Sequence, residues 1–189
     1  MTQQGKNAID LVLAESLIEL SAKKPIDKIT IKEITDKAGV IRPTFYNHFQ
    51  DKYELIEWII KTELLEPMKP LLNAGMRFEA IVLMLNIISA NSVFYKKALK
   101  LEGAVTFNQI AMKCVYEMFM NIISEKSTGK KSKYRWLTPE VISTYYAQSL
   151  CFITEGWIAQ GMDDIEPKEM AEAYMYLITR SMDDILSEL

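Results

Sequence analysis

The chain has 189 residues, of which 49% are hydrophobic and 25% charged, a composition typical of a globular protein with one or two small domains. Its formal net charge of −3 excludes a uniformly basic nucleic-acid binder. The first 56 residues hold eight Lys or Arg and eight Asp or Glu, whereas the remainder holds fourteen against seventeen. The less acidic N-terminal part is therefore the better candidate for an anionic partner.

Two cysteines, Cys114 and Cys151, are too few for a secreted disulfide framework, and both lie in apolar surroundings. We expect buried thiols in a reducing compartment. Asp10 and Glu15 interrupt the early apolar residues, which argues against a signal peptide. Because uncharged runs stay shorter than a membrane span, we expect a cytoplasmic protein that does not bind a membrane.

Apolar residues recur with helical spacing along most of the chain, which predicts an all-α fold of about nine helices. Cap residues, glycines and prolines indicate where these helices begin and end. The predicted helices are 7–22, 31–38, a short one from 43, 52–66, 77–91, 93–101, 105–125, 138–160 and 167 to the C-terminus.

A helix, a tight turn and a second short helix follow the first predicted helix. Thr30 with Glu33 forms a capping-box pattern, which places a helix start directly after Thr30. Gly39 supplies the permissive backbone that ends this helix. Pro43 marks the start of the next helix, because proline is tolerated only in the first helical turn. The first predicted helix, 7–22, is expected to pack across these two and complete a small three-helix core.

The second short helix is predicted to have an inner and an outer side. Phe45 and Phe49 lie four residues apart and are expected to point inward. A helix-turn-helix places its second helix in the DNA major groove. There Arg42 would contact guanine or phosphate, and Lys52 would meet phosphate at the start of the following helix. The expected DNA-contacting residues are Thr30, Arg42, Pro43, Thr44, Tyr46, Asn47, His48 and Lys52.

The alternative is that Tyr46 and His48 only complete a half-buried surface and that Lys52 is a solvated charge. DNA contact is favoured because several motif positions occur together at the spacing of a single helix-turn-helix. The stretch resembles the TetR/AcrR family of transcription regulators, and the resemblance covers about the first third of the chain. It rests on Ile29-Thr30, Ile34, Ala38-Gly39-Val40, Thr44-Phe45-Tyr46-Asn47-His48-Phe49, Lys52 and Glu54-Leu55.

Two positions depart from the family pattern. Ile41 stands where the family usually has Ser, and Pro43 stands where it often has Gly. Pro43 also disfavours α geometry at Arg42, so we expect the recognition helix to begin one residue later than usual.

The resemblance implies roles for the rest of the chain. The last two predicted helices would pair with their copies in a second subunit, which gives a homodimer matched to a palindromic operator in double-stranded DNA. We predict a helix-turn-helix DNA-binding domain over 1–52 and a helical dimerisation and effector-binding domain over 53–189, connected by the helix 52–66. A segment with Asn91, Phe94 and Tyr95, and later Trp157 and Gly161, is similar to the C-terminal domain of regulators of dihydroxyacetone kinase operons.

Nothing in the sequence points to catalysis, a metal or a cofactor. His48 is the single histidine, the two cysteines are too far apart for a CxxC unit, and the seven glycines form no phosphate loop. We therefore expect a protein that is not an enzyme and that uses no cofactor.

Apolar and aromatic residues of the C-terminal part are candidates for an effector pocket, since ligand sites in helical bundles are mainly apolar. Plain core packing explains each of them equally well. Those with a polar tip are the better candidates, because a buried hydroxyl or indole N–H needs a partner. The candidates are Met84, Phe94, Tyr95, Phe107, Tyr116, Phe119, Tyr145, Tyr146, Phe152 and Trp157.

The function we predict is a sequence-specific DNA-binding transcription regulator, expected to be a repressor. An unknown effector in the C-terminal domain would alter the spacing of the two heads and hence the affinity for DNA. The alternatives are an activator, or a regulator whose C-terminal domain binds a partner protein. The basic stretch 124–135 is either a solvated loop or a second contact with an anion.

Overall fold

The computed structural model describes residues 3–103, 105–126 and 132–188, and over these ranges it contains helices and connecting turns and no strand. The predicted all-α class is confirmed. The α-helices are α1 Gln3–Ser21, α2 Ile31–Ala38, α3 Arg42–Tyr46, α4 Lys52–Ile59, α5 Lys69–Asn73, α6 Arg77–Ala90, α7 Ser92–Ala98, α8 Phe107–Lys126, α9 Pro139–Ala159, α10 Pro167–Thr179 and α11 Met182–Glu188. Much of the basic stretch 124–135, at 127–131, lies outside the described residues.

Helices α1, α2 and α3 form a compact N-terminal head, as the sequence predicts. Four side chains of these helices are fully buried in one core: Leu13 and Leu17 of α1, Ile34 of α2 and Phe45 of α3. A short 3₁₀ turn, Ile26–Lys28, carries the chain from α1 to α2 and buries its first residue. The burial of these side chains supplies the stability of the head, since apolar area removed from water is the main favourable term in folding.

Helix α4 starts at Lys52 as predicted but changes form before residue 66. A π-helical segment, Ile60–Leu65, follows it, and then a 3₁₀ turn, Glu66–Met68, leads into α5. Two prolines explain the change: Pro67 and Pro70 lack an N–H, and a proline ring crowds the carbonyl four residues earlier. We call the continuous helical run of residues 52–73 the lever, because it joins the head to the rest of the chain.

The C-terminal part consists of α6 to α11. Gly103, with φ of +135°, lies in the break between α7 and α8, as predicted. Thr138 caps α9 by accepting a hydrogen bond from the amide of Val141, which confirms that helix start. The last predicted helix does not run uninterrupted to the C-terminus: it breaks at Arg180, which is extended, and Ser181 with Asp184 caps the separate helix α11.

The buried core is continuous from the head into the C-terminal part. Helix α1 packs on both α4 and α7, α8 packs along α9, and α6 packs against α10. No single helix among the described ranges is long and apolar enough to cross a membrane; α6 and α7 reach that length only together, and they are bent by 88°.

Candidate nucleic-acid interface

Local hydrogen bonds cap both ends of α2, the first helix of the helix-turn-helix. Thr30 Oγ1 accepts from the amide of Glu33 at 3.3 Å, and the Glu33 carboxylate accepts from the amide and the hydroxyl of Thr30. Bonds from Lys24 and then Thr30 lower the pKa of Glu33 to about 2. Gly39 ends the helix with φ of 69°, as predicted. The Thr30 hydroxyl is thus engaged in capping α2, which restricts the predicted contact of this hydroxyl with DNA.

The recognition helix α3 begins at Arg42. The expectation that proline would move Arg42 out of α geometry is wrong: Arg42 is the first helical residue, and the extended conformation, with ψ of 152°, belongs to Ile41 at the cap position. Pro43 then occupies the second helical position, where its missing N–H needs no acceptor.

Two phenylalanines anchor α3 from behind, as the sequence predicts. Phe45 is fully buried and Phe49 is 4% exposed. Their ring centroids lie 5.8 Å apart, and Phe49 meets Trp58 of α4 edge-on at 6.3 Å. The orientation of the recognition helix is therefore fixed by aromatic packing, independently of any residue that faces outward.

The outer side of α3 presents a cation and an aromatic hydroxyl together. Arg42 donates to the Tyr46 hydroxyl at 3.0 Å, and its guanidinium lies 5.6 Å from the centre of the Tyr46 ring. Both side chains are exposed, and Pro43 and Asn47 are exposed beside them, whereas Thr44 is half-buried. The stacked arginine still has free N–H groups with which to contact a base or a phosphate.

His48 does not face solvent, which corrects the sequence prediction. Its side chain is 1% exposed, and its Nδ1 lies 2.6 Å from Oδ1 of Asp10 in α1. The burial follows from its position next to Phe49, where the chain turns toward α4. His48 therefore ties the end of the recognition segment to the first helix.

Lys52 also faces the protein. Its ammonium donates to the backbone carbonyls of Ile26, Asp27 and Ile29 at 3.0, 2.7 and 3.2 Å. An ammonium has three N–H groups, so these three acceptors use its donor capacity. Burial lowers the pKa of Lys52. The residue stands at the start of α4 as predicted, but its geometry is that of a clamp on the turn between α1 and α2, which corrects the predicted phosphate contact.

Two short helices joined by a tight turn, with a buried inner face and a polar outer face, define a helix-turn-helix DNA-binding protein. Two family models place the chain more closely. One, described as "Bacterial regulatory proteins, tetR family", matches residues 15–59, and one described as "Transcriptional regulator C-terminal region" matches residues 78–180, more than half of the chain. The chain belongs to the TetR family and is a DNA-binding transcription regulator.

Similar proteins agree with this assignment. The HTH-type dhaKLM operon transcriptional activator DhaS of Lactococcus lactis subsp. lactis (strain IL1403) is 26% identical over 156 residues, which is 79% of each chain. A solved structure of the dihydroxyacetone kinase operon activator DhaS has a TM-score of 0.60 at 21% identity and covers 90% of this chain and 93% of its own. Native NalD, described as the secondary repressor of the MexAB-OprM multidrug efflux pump in Pseudomonas aeruginosa, has a TM-score of 0.56 at 14% identity, over 92% and 96% of the two chains.

The ten candidate pocket residues do not share one cavity. Three line a small apolar cavity of about 40 Å³, two line a larger one of about 370 Å³, and others line open grooves or pack in the core. Met84, Tyr95 and Phe107 line the small cavity, and Phe119 and Tyr146 line the larger one. Phe152 and Trp157 line one groove, Phe94 and Tyr95 line another, and Tyr116 packs against the core.

Three of these candidates, Tyr145, Tyr146 and Phe152, are exposed on the surface. Tyr145 is 63% exposed and Phe152 is 76% exposed. The indole N–H of Trp157 donates to the carbonyl of Ile165 at 2.9 Å, so its polar tip is satisfied within the protein. Burial raises the pKa of Tyr95, which keeps its hydroxyl neutral. A role of any of the ten in binding an effector stays a prediction.

The sequence reading missed an ion-pair network that joins the lever to α8. Lys61 lies 2.7 Å from Glu57 and 2.6 Å from Glu117, and Lys113 donates to Glu57 at 2.8 and 2.9 Å. Burial favours a raised pKa for Glu57, but the hydrogen bonds from Lys113 and Lys61 outweigh it and lower the pKa. The spacing of four residues between Glu57 and Lys61 is typical of a helical ion pair, but no sequence signal marks their contacts with α8, where the partners are 56 residues apart.

Asp10 was also missed as the partner of His48, although a signal was present. It shares the buried stripe of α1 with Leu13 and Leu17 and is 8% exposed. A carboxylate in an apolar stripe needs a partner, and His48 is the one histidine of the chain. Groups of three or more His, Cys, Asp or Glu suited to a metal ion are not found in the described ranges.

Proposed function

We propose that the protein acts in the cytoplasm as a homodimeric regulator that binds a palindromic operator and changes its affinity when an effector binds the C-terminal part. The observation that carries the proposal is the outward pair of Arg42 and Tyr46 on a helix anchored by Phe45 and Phe49. Rigid placement of a few outward groups is what readout of a base edge requires. The proposal assigns no catalytic reaction to the chain.

The first test is the substitution Arg42→Ala, measured with an operator selected in vitro from random DNA by the purified protein. Loss of a bidentate contact to a base should weaken binding by about 1–3 kcal/mol and relax the preference at one operator position in each half-site. Arg135→Ala is a matched control, because Arg135 is exposed beyond the far end of α8. Equal losses in the two variants would contradict the assignment of the reading surface to α3.

We place the dimer contact on α9 and α10. Exposed residues of α9 recur with helical spacing as an uncharged stripe of Tyr145, Gln148, Phe152, Gly156 and Ala159. A Cβ built on Gly156 would meet nothing within 4 Å, so a second helix has room to approach closely. An exposed apolar stripe of this length is unusual on a monomer and supports burial against a second copy.

Helices α10 and α11 also carry exposed apolar side chains. Leu177 is 49% exposed, and Met182 and Leu186 of α11 are 70% and 60% exposed. Sedimentation analysis of Phe152→Glu should therefore show a shift toward monomer, because the substitution buries a charge in the contact. Val93→Glu on α7, where Val93 is 52% exposed, should leave the dimer intact. A dimer of unchanged strength in the Phe152 variant would remove α9 from the interface.

We propose repression as the sign of regulation, because a dimer that occupies an operator excludes other proteins from that DNA without needing any further contact. The proposed domain division follows the lever: residues 1–52 for DNA binding and 53–189 for dimerisation and effector binding. In a reporter assay, deletion of the gene should raise expression from a promoter that contains the operator, and a fall would reverse the sign.

A second candidate function is activation through a partner protein. The relative DhaS is named as an activator. In this chain Tyr134 and Trp136 are 61% and 74% exposed next to Lys133 and Arg135. Tyr, Trp and Arg are the residue types enriched at energetically important interface positions. A protein that co-purifies with the parent chain at a fixed stoichiometry, and is lost in Trp136→Ala, would favour this candidate.

A further inference from the structure

A cavity of about 370 Å³ lies between α6, α8, α9 and α10, and we call it the α6–α10 cavity. Its walls are mainly aliphatic, with contributions from all four helices. This volume lies in the range of roughly 300–1,000 Å³ found for small-molecule sites. Representative wall residues are Ile81, Met118, Ile142, Leu150 and Ile178.

One charged residue, Arg77, is present among the residues that line the cavity. Arg77 is exposed at the first position of α6, one turn before Ile81. Within the described part of the chain its guanidinium has no ion pair and no side-chain hydrogen bond. Tyr146 and Tyr174 also line the cavity and each carries a hydroxyl, whereas the Thr179 hydroxyl donates to the Met175 carbonyl.

From this arrangement we infer that the α6–α10 cavity binds a small molecule with an apolar body and one carboxylate. The body would replace water along the aliphatic walls, and the carboxylate would accept two parallel N–H bonds from Arg77. A ligand of the same shape with a neutral end loses the charge-assisted bonds, and one with an ammonium is repelled. The inference rests on the proposed function, because it names the chemical class of the effector.

The cavity also lies where a ligand would act on the heads. Met68, which is 1% exposed, and Leu72 line it and belong to the C-terminal end of the lever. The opposite walls belong to α9 and α10, the helices assigned to the dimer contact. A ligand in the cavity therefore touches both the lever and the dimer helices, so a preference for one lever position shifts the affinity for DNA by linkage.

Three probes of equal chain length test the ligand class: octanoate, 1-octanol and octylamine, titrated calorimetrically into the full chain. Octanoate should bind most tightly. Arg77→Met keeps the aliphatic stem but removes the charge, and it should weaken octanoate by about tenfold or more, since a hydrogen bond to a charged group contributes ~1.5–3 kcal/mol. The affinity for 1-octanol should change less than about twofold. Arg135→Met, the matched control, should change neither affinity.

A second variant tests the location. Ile178 is half-buried at the cavity, so Ile178→Trp should fill the space without disturbing the core and should abolish binding of both octanoate and 1-octanol. Retained binding in this variant would overturn the location. Equal affinity of octanoate for the parent and for Arg77→Met, or tighter binding of octylamine, would overturn the ligand class. If octanoate did not bind to the dimer, the cavity would be assigned as a site filled by the second copy, and the inference would be overturned.

The same samples separate this inference from the proposed function. Operator binding is measured first without a probe, where the parent, Arg77→Met and Ile178→Trp should bind alike. Loss of operator binding in the parent would contradict the proposed regulator and leave the calorimetric result standing. Operator binding that octanoate does not change, although octanoate binds, would overturn the assignment of the cavity as the effector site.

Discussion

The head and the C-terminal part differ in the hydrogen bonding of their polar groups and in the exposure of their apolar side chains. In the head, Asp10 is paired with His48, the Lys52 ammonium meets three carbonyls, and Thr30 shares two-way bonds with Glu33. In the C-terminal part, two buried oxygens of α9, Ser143 Oγ and Thr154 Oγ1, are the ones without a hydrogen-bond partner among the described residues. Large apolar side chains of α9 and α11 are exposed there, and cavities lie between the helices.

This difference separates two physical tasks. A surface that reads DNA needs its side chains held in one geometry before binding, and a closed set of local bonds provides that. A part that accepts a ligand and a second copy needs space and uncovered apolar area, because both bindings are driven by removing apolar surface from water. The lever connects the head to the C-terminal part, and its π-helical segment lies in the middle of this connection.

The largest effect that tests this difference is expected when a large aromatic side chain is removed from each part. Phe45→Ala in the head should lower the free energy of unfolding by about 3–5 kcal/mol, because Phe45 is fully buried and its loss leaves a cavity. Phe152→Ala in α9 should leave the stability of the monomer nearly unchanged, because Phe152 is 76% exposed. Urea unfolding at a protein concentration below the dimer dissociation constant measures both. Similar losses would show that the two parts are packed alike.

A second prediction sharpens the role of Lys52. Lys52→Met keeps the aliphatic stem and removes the ammonium that holds three carbonyls, which should lower the free energy of unfolding by about 2 kcal/mol. Because the ammonium is used within the protein, the slope of log affinity for DNA against log salt should stay unchanged.

The control for this prediction is Lys28→Met, since the side chain of Lys28 is 75% exposed in the same turn. It should leave the stability close to that of the parent. A decrease of the salt slope by about 0.9 per protomer in Lys52→Met would instead restore the phosphate contact expected from the sequence.

Local sequence rules predicted the head because its structure is set by neighbours in the chain. Capping by Thr30, the turn at Gly39 and the inward pair Phe45 and Phe49 each depend on spacings of three or four residues. The errors arose where a side chain meets a distant partner. Asp10 and His48 are 38 positions apart, so local periodicity does not identify them as a pair, although the position of Asp10 in an apolar stripe indicates that it needs some partner.

The candidate pocket was harder to predict for a related reason. Burial can be inferred from the spacing of apolar residues, but the space left between four packed helices depends on how they cross. Phe119 and Tyr146, two of the ten predicted pocket residues, line a cavity in the structure, and their role in binding an effector stays a prediction. Arg77 lines the same cavity but was not predicted, because a single exposed arginine has no distinctive sequence context.

The smallest expected effect concerns the pH dependence of the capping box. Bonds from Lys24 and Thr30 lower the pKa of Glu33 from 4.5 to about 2 in the folded protein. The stabilisation by the carboxylate is therefore fully present above about pH 4.5 and is lost as the pH falls through the folded value. Unfolding free energies of the parent and of Glu33→Gln should differ most at pH 6, draw closer below about pH 4.5 and converge only as the pH reaches about 2. Thr30→Val should keep part of its deficit at the lower pH, because the bond from the Glu33 amide to Thr30 Oγ1 does not titrate. A Glu33→Gln deficit that is constant with pH would mean that the Glu33 carboxylate is not held by Lys24 and Thr30 as the structure shows, and the hydrogen-bonding difference between the head and the C-terminal part would lose one of its supports.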